Sequence, residues 1–75
     1  MKAYILINAG LGIVSDVLDD LRKIDEIKSA NSTIGPYDII ALIESSNLSG
    51  LGDTIVQKIQ KVPGVSKTLT CMIIE

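Results

Sequence analysis

The sequence predicts a single α+β domain of the ferredoxin-like type, with element order βαββαβ and an antiparallel four-stranded sheet carrying two helices on one face. Three observations predict it. Two stretches repeat apolar residues at steps of three and four, as one face of a helix does. They alternate with four stretches of β-branched and other apolar residues, and glycine or proline clusters mark the main breaks. The 75 residues suffice for one domain, residues 1–75, without linker, low-complexity tract or internal repeat.

The first strand is expected over Ala3 to Ile7 and is broken by Asn8-Ala9-Gly10-Leu11-Gly12. Val14, Val17, Leu18, Leu21 and Ile24 then form the apolar face of the first helix, with Asp16, Asp19, Asp20, Arg22 and Lys23 on the other face. Early acids and late bases suit the helix dipole. A weaker strand is expected from Glu26 to Ile34, and Gly35-Pro36-Tyr37-Asp38 follows as a turn. Ile39 to Glu44 reads as a buried strand, and Asn47 as the N-cap of the second helix. Leu48, Leu51, Ile55, Ile59 and Val62 give that helix its apolar face. Val62-Pro63-Gly64 ends it, and Val65 to Ile74 is the last strand. Gly50 and Gly52 suggest a frayed, loop-like start to the second helix, the alternative being close packing or a ligand's approach there.

Composition narrows the function. Seven Lys+Arg against nine Asp+Glu give a net charge of −2, so no basic stripe exists to displace phosphate counterions. Aromatic residues are 3% of the chain, too few for a base-stacking platform, and direct nucleic-acid binding is not expected. The absence of histidine and the single cysteine, Cys71, exclude a zinc cluster and an internal disulfide. No metal and no cofactor is expected. Cys71 reads as inert core. No signal peptide or membrane span is visible, and the expected location is the cytoplasm.

The strands are apolar on both faces. Ala3, Ile5 and Ile7 share one face of the first, and Tyr4 and Leu6 the other. In the third, Ile39, Ala41 and Ile43 oppose Ile40 and Leu42; in the fourth, Leu69, Cys71 and Ile73 oppose Met72 and Ile74. Two helices cover one face only. Leaving the other wet forgoes on the order of 10 kcal/mol, comparable to the stability of a whole domain. A second copy packed on the open face, as an isologous dimer, is the expected remedy.

Two segments resemble a known family. Ile34-Gly35-Pro36-Tyr37-Asp38-Ile39-Ile40-Ala41-Leu42-Ile43-Glu44 resembles the central hairpin of the RAM domain, the effector-binding half of Lrp/AsnC transcription regulators. Lys58 to Thr70, with its P-G-V-x-x-T-x-T stretch, is similar to that domain's second helix end and last strand. The resemblance covers nearly the whole chain. It implies sheet-to-sheet dimers that assemble into octameric or decameric rings. It also implies small effectors, commonly amino acids, bound between dimers. Full-length members carry an N-terminal helix-turn-helix; this chain begins at the first strand and resembles the stand-alone members. Many members have an acidic residue between the turn glycine and tyrosine, where this chain has Pro36.

Candidate ligand-binding residues follow from both lines. In the turn of Gly35, Pro36, Tyr37 and Asp38, glycine permits close approach and backbone N–H groups can hold a carboxylate. Asp38 can accept from an ammonium, and Tyr37 can form an apolar wall with a polar tip. The alternative is a plain hairpin turn. Thr68 and Thr70 share a sheet face and would point into a pocket shared with a neighbouring dimer, or simply reflect strand propensity. Gly10-x-Gly12 lacks the third glycine and the lysine of phosphate loops, and reads as a plain loop. Asp16, Asp19, Asp20, Asp25 and Glu26 read as a solvated face, not a cation site.

Three functions remain. The first is a regulatory module that binds a small effector, expected to be an amino acid. The second is a pure oligomerisation partner of full-length Lrp/AsnC regulators. The third is a small dimeric enzyme. The last is disfavoured: acid–base work would fall to Asp38, Glu44 or a tyrosine, and the one arginine, Arg22, is expected mid-helix. No catalytic residue is assigned.

Overall fold

The computed structural model of the chain describes residues 1–74. Strand β1 (Lys2–Ala9) leads to helix α1 (Val14–Leu21), then β2 (Ile27–Ser32), β3 (Ile39–Glu44), helix α2 (Leu48–Asp53) with a π-helical continuation (Thr54–Ile59), and β4 (Val65–Met72). The antiparallel sheet has the order β2-β3-β1-β4, so the ferredoxin-like arrangement is observed.

One parity of each inner strand is sealed by the helices. Ala3, Ile5 and Ile7 of β1 and Ile39, Ala41 and Ile43 of β3 are fully buried, with Val17 and Leu21 from α1 and Leu51 and Ile59 from the second helix. The register pairs Tyr4 with Leu42 and Cys71, and Leu6 with Ile40 and Leu69. These residues therefore share the opposite, uncovered face, where Tyr4 and Leu69 are 45% and 46% exposed. Cys71 lies on this face and is exposed, not inert core. In the fourth strand the more apolar parity, that of Leu69 and Cys71, is the uncovered one, so apolar pattern alone misplaces its inward side. It is Thr68, Thr70 and Met72 that share the helix-side parity with Ile7, Ile5 and Ala3.

Local chemistry shifts several boundaries. Helix α1 stops at Leu21, and Arg22 lies just past its end rather than mid-helix. Its guanidinium donates two hydrogen bonds to the Ala30 carbonyl, at 3.1 Å from Nε and 2.8 Å from Nη2. Strand β2 is a sheet edge, and this charged side chain occupies one of its carbonyls. Asn47 caps the second helix as expected, its Oδ1 accepting from Gly50 N at 2.7 Å. The start expected to fray at Gly50 and Gly52 is helical.

The second helix widens because its apolar series advances by fours. In an α-helix, at about 100° per residue, Leu51, Ile55 and Ile59 would drift around the axis by about 40° per step. Wider winding returns all three to the core, with Gln60 N donating to Ile55 O at 2.9 Å across five residues. At the junction, buried Thr54 donates its hydroxyl to Gly50 O at 3.0 Å. Leu48, one step of three away from Leu51, falls outside this face and is 62% exposed.

The second helix ends at Ile59, short of the stop expected at Val62-Pro63-Gly64, and Gly64 instead shapes the entry to β4. Gly64 has φ +95°, a left-handed conformation that side chains resist, and a Cβ there would meet Ile13 and Val17. Its carbonyl accepts from Gly10 N at 3.2 Å. The glycine thus lets the entry to β4 lie against the start of α1.

Candidate functional site

The turn between β2 and β3 is braced by four hydrogen bonds. Thr33 Oγ1 donates to Tyr37 O at 2.8 Å, and Thr33 N to Asp38 O at 2.9 Å. Asp38 N donates to Ile7 O at 3.0 Å, and Asp38 Oδ2 accepts from Ala9 N at 2.8 Å. The last two bonds tie the turn to the end of β1, where the β1–β4 register shifts between Asn8 and Ala9. Asp38 is therefore a brace within the fold as well as a candidate ligand residue.

Gly35, Pro36 and Tyr37 line a shallow cleft of about 180 Å³ with Leu6, Thr33, Ile34 and Ile40. Leu6 and Ile40 are register partners on the uncovered sheet face, so this cleft opens on that face. Nothing stands within 4 Å of where a Cβ on Gly35 would lie, which leaves its backbone open to approach. The walls carry no charged side chain.

A second depression, of about 210 Å³, lies where the second helix ends and β4 begins. Gln60, Val65, Ser66, Lys67 and Thr68 line it. Thr68 Oγ1 accepts from Gln60 Nε2 at 3.3 Å, and Ser66 Oγ donates to Asn8 O at 3.1 Å.

The six candidate residues thus do not converge within one chain. Gly35, Pro36 and Tyr37 line the first cleft and Thr68 the second; Asp38 and Thr70 line neither. The cause is topological. Asp38 and Thr68 flank β1 on opposite sides, Asp38 bonding Ile7 O and Thr68 pairing with Ile7. They sit across two strand spacings, about 10 Å, and the turn cleft opens on the face opposite the Thr68 parity.

Sequence reasoning missed Leu6, Thr33, Ile34 and Ile40 in the first cleft, and Gln60, Ser66 and Lys67 in the second. The parity of Leu6 and Ile40 was the available signal for the first. Gln60 had none, because its placement follows from the wide winding of the second helix.

Lys67 is the charged side chain among the residues lining the second depression, and the first has none. The resolved pKa shift belongs to Glu26, whose carboxyl is held below its ordinary value of 4.5 by the hydrogen bond from Lys58, with a backbone bond adding to it. Both Glu26 carboxylate oxygens lie 2.8 Å from Lys58 Nζ. Among the described residues no group of three or more acidic, cysteine or histidine side chains could hold a metal ion. No helix there is long and apolar enough to cross a membrane.

Comparison with known proteins adds the family. A family model described as the Lrp/AsnC ligand binding domain matches residues 2–75. The HTH-type transcriptional regulator FL11 of Pyrococcus abyssi is 32% identical over 75 residues, the whole of this chain and 49% of that protein. The chain therefore spans about half the length of the curated relatives it matches. Among solved structures, FFRP-DM1 superposes with a TM-score of 0.93 at 33% identity, covering 97% of each chain. The Neisseria meningitidis transcriptional regulator NMB0573, solved as a complex with L-Met, superposes with a TM-score of 0.84. At 15% identity, over 99% of this chain and 49% of that one, it attests the fold alone. With a match that runs the length of the domain, residues 2–75, this chain belongs to the Lrp/AsnC ligand binding domain family.

Proposed function

We propose that the chain is an effector-binding regulatory module, taking a small molecule of the amino-acid class at contacts between sheet-to-sheet dimers. The observation that carries the reading is the family match over residues 2–75, to a domain defined by ligand binding. The relatives are transcription regulators, which favours a regulatory role over an enzymatic one. The Neisseria protein of the same fold was solved with an amino acid, L-Met. The uncovered apolar face of Tyr4, Leu6, Ile40, Leu42 and Leu69 supports the dimer.

The split of the candidate residues supports a site between protomers. A turn on one side of β1 and threonines on the other cannot grip one small molecule within a single chain, whereas neighbouring dimers can bring the two halves together. Effector binding then acts by favouring one assembly over another, since a ligand shifts only equilibria between states it binds unequally.

Titration of each proteinogenic amino acid into the assembled protein by calorimetry tests the reading. At least one is expected to release or absorb heat and to shift the assembly mass. Silence from all of them, with the assembly intact, leaves the second reading: an oligomerisation partner of full-length Lrp/AsnC regulators. The same open face supports that alternative.

A further inference from the structure

The two outer edges of the sheet are complementary to each other. In the order β2-β3-β1-β4 every neighbouring pair is antiparallel, so β2 and β4 run in opposite directions. A second copy shifted sideways would set its β4 antiparallel beside β2, with its helices on the same side of the sheet. Such a contact is head-to-tail. It uses a different edge on each copy and repeats without closing.

Both edges turn backbone groups outward. Ile73 N donates to Lys2 O, which marks that pair as hydrogen-bonded. Alternation along the ladder then points the N–H and C=O of Thr68, Thr70 and Met72 away from β1. On the other edge, Thr33 N donates to Asp38 O. The same alternation points the groups of Ala30 and Ser32 away from β3.

The β2 edge differs at one carbonyl. Arg22, the first residue past α1, donates to Ala30 O from Nε at 3.1 Å and from Nη2 at 2.8 Å. That oxygen is an acceptor an incoming strand would need. Asp19, three residues back, is within the usual reach of a helical ion pair. Yet the ion pairs among the described residues are Lys23–Asp20 and Lys58–Glu26, so Arg22 is committed to the backbone edge. A strand arriving at β2 has to displace the guanidinium or bury it unpaired, and an unpaired buried charge is strongly destabilising.

We propose that Arg22 locks this edge, an autoinhibitory contact that keeps the β4 of a second copy off β2. Assembly is thereby confined to contacts made elsewhere on the molecule and does not run on as a continuous sheet. The competing role is a plain brace between α1 and β2. The two roles part when the folded protein is concentrated.

Arg22→Ala is expected to keep the parent's circular dichroism. Its mass by light scattering is expected to climb without a plateau as concentration rises, where the parent's levels off. Hydrogen exchange at Ala30 and Ser32 is expected to slow several-fold in that variant relative to the parent. Ser32→Pro removes an outward N–H and no ladder bond, so Arg22→Ala combined with Ser32→Pro is expected to return to the parent's mass. A synthetic peptide of the β4 sequence, residues 65–72, is expected to bind Arg22→Ala and not the parent. The lock is overturned if Arg22→Ala keeps the parent's mass at every concentration, or if it loses its circular dichroism, which makes Arg22 a brace. Growth with Ala30 and Ser32 exchanging as in the parent, or growth that the proline leaves unchanged, overturns it too. A peptide bound equally by both proteins, or by neither, removes β4 as the excluded strand.

Discussion

Asp38 shows how much one side chain can carry at a turn. Its N–H reaches Ile7 O, its carbonyl takes Thr33 N, and its carboxylate takes Ala9 N at 2.8 Å. The carboxylate bond spans 29 residues of sequence and holds the turn against the irregular end of β1. Replacing Asp38 by alanine leaves the half-buried Ala9 N–H without its acceptor, at a cost of about 1–2 kcal/mol. Asp38→Asn keeps an acceptor oxygen and loses only the charge, so its cost is expected to be less than half of that. Urea midpoints of the two variants measure the difference. Equal losses would mean that charge, not the hydrogen bond, braces the turn. The residue was legible in the sequence as part of a G-x-Y-D turn. Its bond to Ala9 was not, because strand order decides which backbone N–H lies beside it.

At the scale of elements, what the pattern could reach was local. Ile39 to Glu44 is continuously apolar before its final acid, and β3 has those bounds. The Asn47 cap is a bond to a residue three positions on and was equally readable. The end of α1, the wide winding after Asp53 and the exclusion of Ile34 from β2 were not readable, because tertiary contacts decide them. Arg22 leaves the helix for Ala30 O, and Ile55 and Ile59 must both meet the sheet. One such contact is pH-dependent. Lys58, on the π-helical segment, pairs with Glu26 at the entry to β2 and lowers that carboxyl's pKa below 4.5. A depressed folded-state pKa contributes stability above the unfolded value, and that contribution is lost as pH falls through the folded one. Lys58→Gln is therefore expected to lower the urea midpoint near neutral pH and to converge on the parent as pH falls through the lowered Glu26 value. Parallel pH profiles for the two proteins would mean that the pair contributes nothing.

At the scale of the molecule, one sheet face is solved by the chain and the other is not. The inward parity of β1 and β3 is sealed by helices, while Tyr4, Leu6, Ile40, Leu42, Leu69 and Cys71 face outward. The presence of a two-sided sheet is legible from alternation; which side stays open is settled only by helix packing, which turns Leu69 and Cys71 of β4 outward. The same limit applies to the candidate site, whose halves were legible as motifs and whose separation across β1 was not. The open face makes a sharp prediction. Leu69 is 46% exposed and pairs with Leu6. As a surface position its replacement by aspartate should change the stability of a lone chain by no more than about 0.5 kcal/mol. Buried unpaired in a sheet-to-sheet dimer, the same charge costs about 3–5 kcal/mol, which weakens association at least a hundredfold. Light scattering of Leu69→Asp is expected to give a monomer where the parent gives a dimer or a larger assembly. The parent's melting temperature is expected to rise with protein concentration, as linkage to association requires, and the variant's to stay constant. Cys71 reports on the same face: its thiol should react with a disulfide reagent more slowly in the concentrated parent than in the variant. A variant that keeps the parent's mass and the parent's thiol protection would place the assembly contact elsewhere on the molecule.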